Sequence, residues 1–156
     1  MRKFCHRKVR QIRSDTVAVA VLGSALMPTN DQLARLTVLR PAFDALCEGR
    51  ADQGQFRAVL GVHNLILALS AMPGVLGGQP RDFCTVSSDT LKEIGRRRLT
   101  GRTALEADEQ EVVQALLALY AQVIENVALR FIEDAEHRTE KRLARGDGVC
   151  NLGKAA

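Results

Sequence analysis

TALEADEQEVVQALLALYAQVIENVALRFI, residues 103–132, decides the fold class. Val113, Leu116 and Leu117, Tyr120, Val123 and Ile124, Val127 and Phe131 recur at spacings of three and four. That interval places side chains on one face of an α-helix. Asp108, Glu109 and Glu111 crowd the start, where the positive end of the helix dipole favours them, and Thr103 with Glu106 has the form of a capping box. After Ile132 the composition turns charged, with Asp134 and Arg138, and Glu133 and His137, placed to pair across a turn. An unbroken helix over 104–145 would measure about 63 Å at 1.5 Å per residue, more than a compact domain needs. A bend near Glu133, or a projecting charged end, is therefore expected.

The segments before it are also helical in pattern. Over 89–99, Leu91 and Ile94, with Leu99 as a further candidate, face inward, Thr90 and Glu93 match a capping box, and Thr100-Gly101 ends the run. Residues 73–88, PGVLGGQPRDFCTVSS, are rich in Gly and Pro and read as the longest loop, with Val75, Leu76 and Phe83 tacked to the core. Upstream, Asp52 with Gln55 caps a segment in which Phe56, Val59, Leu60, His63, Ile66 and Leu67 form a wide apolar face. Such a helix belongs at the centre. Thr29 with Gln32 offers a further box before Leu36, Leu39, Phe43 and Leu46, and Pro41 within that stripe predicts a kink, or two short helices broken near Arg40. Residues 16–27 are either a short helix or an extended piece packed on the bundle.

A length of 156 residues fits one domain, and a core of Leu, Val and Ala without Trp suits packed helices. The expected architecture is all-α, a compact bundle of four to five helices with a long C-terminal helix. It comprises a basic arm over 1–14, a single helical domain over 15–145 and a flexible tail over 146–156. The basic start is not followed directly by a long apolar run and a cleavage signature, so no signal peptide is expected, and the apolar stretch near 17–27 is too short to span a bilayer. Cysteines at 5, 47, 84 and 150 form no tight framework, which suits reduced thiols and a cytoplasmic location.

The net charge of +4 conceals segregation. Arg2, Lys3, Arg7, Lys8, Arg10 and Arg13 are unopposed by any acid in the first 14 residues. A second basic cluster comprises Arg96, Arg97, Arg98 and Arg102. Both are candidate contacts to an acidic protein surface or to nucleic acid. No helix-turn-helix, zinc-finger spacing, aromatic platform or phosphate-binding glycine loop accompanies them. Cys5, His6, His137 and Cys150 have metal-ligating chemistry, but without a close ligand pair no metal or cofactor is expected. His63 reads as a core histidine. Ser24, Ser70, Ser87 and Ser88 lack a nucleophile-elbow sequence, and no catalytic residues are assigned.

The interaction reading is stronger. Apolar residues on the C-terminal helix spread beyond one stripe, and what a small domain leaves uncovered commonly meets a partner. Val112, Leu116, Leu119, Val123, Leu129 and Ile132 are the expected interface of a homodimer, whose two-fold symmetry would also double the basic arms. The sequence thus points to a non-catalytic protein-interaction module, a regulator or inhibitor whose format suits a phage or mobile genetic element. The alternative is a nonspecific DNA- or RNA-binding accessory protein.

Overall fold

The computed structural model describes residues 25–76 and 79–146, and among these the chain forms five helices and no named strand. These are α1 Thr29–Cys47, α2 Gln53–Ser70, α3 Gln79–Leu99, α4 Ala107–Asn126 and α5 Leu129–Ala144. Helix α2 packs against all four others, while α1 and α3 each also lean on α4. The all-α bundle expected from periodicity is what forms. Its centre is built from Phe43 and Leu46 of α1, Phe56, Ile66 and Leu69 of α2, Leu91 and Ile94 of α3, Leu116 and Ile124 of α4, and Ile132 of α5. Residues 1–24, which include the basic arm and most of the 16–27 segment, lie outside the described residues, as does the tail from residue 147.

Capping follows the sequence at one helix and departs from it at three. At α2, Gln55 N–H donates to Asp52 Oδ1 at 2.7 Å, while the Gln55 side chain accepts from Asp52 N–H at 2.9 Å. The Thr29 box does not form. Helix α1 already begins at Thr29, and Gln32 instead donates to the Met27 carbonyl at 2.7 Å. Thr90 and Glu93 sit inside α3, where Thr90 donates to the Val86 carbonyl one turn back. At α4 the reciprocal pair moves three residues on: Glu106 is the cap, and Glu109 accepts its N–H at 2.9 Å.

Two expectations about breaks are corrected, and at Pro41 the two-helix alternative is removed. Helix α1 runs through Pro41 without dividing into two. Pro41 and Thr37, whose carbonyl loses its partner to the proline, are both on the exposed side, where water can replace the missing bond. The loop expected over 73–88 is much shorter, because α3 starts at Gln79. Pro80 is its second residue, a position that needs no N–H and suits the fixed proline φ. The C-terminal rod breaks at Val127 and Ala128, ahead of Glu133. Both residues are extended, with ψ 132° and 136°. Ala128 makes an antiparallel bridge with Leu26, and the Leu129 N–H donates to the Ala25 carbonyl at 2.8 Å. A backbone carbonyl from the N-terminal approach thus does what a capping side chain would do for α5.

Candidate functional site

The basic cluster is largely turned to internal use. The Arg97 guanidinium pairs with Glu109 and also reaches Glu106 at 3.3 Å, joining the end of α3 to the start of α4. Glu109 is buried, so its charge is held by this arginine and by the Glu106 N–H. The Glu109 carboxylate is also the main cause of the raised Arg97 pKa. Arg98 donates to the carbonyls of Ala51 at 2.6 Å and Asp52 at 3.3 Å, and stacks 5.0 Å from the Phe56 ring centroid. Arg96, paired only with Glu93 on its own helix, and Arg102 are exposed. Arg2, Lys3, Arg7, Lys8, Arg10 and Arg13 lie outside the described residues.

The expected interface divides in the same way. Leu116, Val123 and Ile132 are covered within the single subunit at 0, 2 and 0% exposure, so they cannot also face a partner. Their neighbours fill the space that sequence alone left open. Val112, Leu119 and Leu129 remain half-buried. Leu119 lines a shallow groove of about 300 Å³ between α3 and α4, together with Pro80, Phe83, Ala115 and Gln122. Val86, close to Phe83 along α3, is 56% exposed.

A second cleft, of about 340 Å³, has an apolar floor that includes Leu39, Ala58, Gly61 and Leu65, with Glu136 and Glu140 among its lining. Arg35 reaches across its margin to pair with Glu136, tying α1 to α5. That ion pair is the largest cause of the raised Arg35 pKa, and Tyr120 adds to it.

His63, together with Ser87, is the most enclosed polar group of the core. Its ring is fully buried, with Nδ1 3.1 Å from Ser87 Oγ and Nε2 2.9 Å from Ser88 Oγ. The donors can be assigned from chemistry. Ser87 Oγ–H donates to the Phe83 carbonyl at 2.9 Å, so its oxygen accepts from Nδ1–H. Nε2 then carries the lone pair and accepts from Ser88 Oγ–H. Burial, and secondarily the Lys92 charge, lowers the imidazole pKa from 6.5 to about 4, which keeps the ring neutral. The sequence signalled the buried histidine. It did not pair that histidine with Ser87 and Ser88, because a helix over 84–88 was hidden by the neighbouring Gly and Pro.

Among the described residues no cluster of three or more His, Cys, Asp or Glu could hold a metal ion, and no helix is long and apolar enough to cross a membrane. Compared with known protein families, curated proteins and solved structures, the chain gives no match.

Proposed function

We propose that this protein is a non-catalytic interaction module that self-associates through the α3–α4 groove and regulates another macromolecule by binding it in the cytoplasm. The observation that carries the reading is the apolar face at half-buried Leu119 and Phe83 and exposed Val86, which the other described residues leave partly open. A two-fold axis beside Leu119 would bring the same face of a second copy against it and take the apolar side chains of both copies out of water. Val112 stands at the seven-residue repeat from Leu119 and extends this surface, whereas Leu116, Val123 and Ile132 serve the core. The exposed guanidiniums of Arg96 and Arg102 then remain for an acidic partner. Nonspecific nucleic-acid binding is the weaker reading, because Arg97 and Arg98 are committed to Glu109 and to backbone carbonyls.

Sedimentation velocity at micromolar concentration tests the proposal. The unaltered chain should run as a dimer and Leu119→Glu as a monomer with unchanged helical circular dichroism. A monomeric unaltered chain, or a Leu119→Glu variant that still dimerises, overturns it.

A further inference from the structure

We propose that Ser88 is a reactive serine, activated by His63 and able to accept an acyl group from small activated esters. The proposal is independent of self-association, and because the acyl group stays on Ser88 it describes a single modification without turnover. It stands on an arrangement of three side chains drawn from two helices. Ser88 Oγ lies 2.9 Å from His63 Nε2, the nitrogen whose lone pair is free to take a proton. On the far side of the ring, Ser87 fixes Nδ1–H at 3.1 Å and is itself fixed by the Phe83 carbonyl, so both the tautomer and the ring plane are set. A base whose second nitrogen is oriented by a third group is the general form of an activated hydroxyl nucleophile. Ser87 is the positioning residue here, and a hydroxyl in that place orients the ring without adding charge.

Access and charge complete the arrangement. His63 and Ser87 are sealed, whereas Ser88 is half-buried at the edge of the same network, and the proposal requires its oxygen to be reached from that side. Lys92, one turn on from Ser88 along α3, keeps its ammonium 3.3 Å from Asp89 on the exposed side.

The step balances without a further reactant. Ser88 Oγ forms a bond to the ester carbonyl carbon as its proton passes to His63 Nε2. The carbon–oxygen bond to the leaving group then breaks, and the departing alkoxide takes the proton from Nε2. The products are an O-acyl Ser88, a free alcohol and a neutral His63.

A fluorophosphonate probe tests this on the full chain. Ser88 Oγ should form a bond to phosphorus as fluoride leaves, giving one adduct that peptide mass spectrometry maps to Ser88. The unaltered folded chain should label at least tenfold faster at Ser88 than at any other serine. Labelling should vanish in Ser88→Ala and in the urea-unfolded chain. In His63→Gln, provided its circular dichroism is native, labelling should fall about a hundredfold, as loss of a general base requires. Absence of an adduct, an even spread over the serines, or equal labelling of folded and unfolded protein overturns the proposal. Should His63→Gln fail to fold, the Ser88→Ala comparison and the adduct map decide it alone.

Discussion

Protonating His63 must weaken the fold, and the structure gives the size of the effect. In the unfolded chain the imidazole titrates near its ordinary value of 6.5, and in the folded chain near 4, chiefly because burial penalises the cation. Between those values the unfolded state binds more protons, so stability rises with pH through the window and is lost as pH falls. Linkage over that gap predicts a loss of about 2 kcal/mol between pH 7 and pH 5, growing to about 3 kcal/mol by pH 4. Carboxylates begin to titrate at the acid end of this range, so the informative quantity is a difference between two proteins. Urea unfolding, followed at 222 nm at several pH values, should show the unaltered chain losing about 2 kcal/mol more than His63→Gln between pH 7 and pH 5. Parallel pH dependences for the two proteins would refute the reasoning, since they would mean the ring is hydrated or charged in the folded state.

Two further outcomes follow from the helix ends. Arg97→Met strands the buried Glu109 carboxylate and should lower stability by about 2 kcal/mol, less than the roughly 3–5 kcal/mol of a fully enclosed pair, and adding Glu109→Gln should recover most of the loss in urea titrations. Gly49 has φ +72°, and a Cβ there would stand 3.1 Å from the Ala104 Cα, so Gly49→Ala should cost about 2 kcal/mol; Gly74→Ala, at φ +75° but facing open space, should cost about half that by thermal or urea unfolding.

Periodicity made the helices legible where the apolar stripe was wide. The central place of α2 and its Asp52–Gln55 cap were both written in local spacing. What local spacing could not express is where a breaker falls within an element. Pro80 reads as loop chemistry until it is seen in a helix's first turn, and Thr90 with Glu93 matches a cap pattern that interior residues also satisfy. The break at Val127 depended on a partner about a hundred residues away, since only the Leu26 backbone makes an extended pair there. The internal use of Arg97 and Arg98 was illegible for a different reason. Long side chains at a helix end reach neighbouring helix starts, so Arg97 and Arg98 fasten elements together although their charge suggests contact with a partner. The His63 network was hidden because Ser87 and Ser88 come within reach only once α3 lies against α2.

The extended corner at Val127 and Ala128 also makes changes in chain length unequal along the protein. Because Leu26 and Ala25 clasp that corner from the N-terminal segment, one residue inserted there would either break the clasp or turn α5 by about 100°. Such a turn would swing Ile132 and Ala135 out of the interior and bring charged side chains in. At Pro73 and Gly74, both exposed, an extra residue would only lengthen a connection. The chain can therefore grow freely ahead of α3, while the spacing between α4 and α5 is held to the residue.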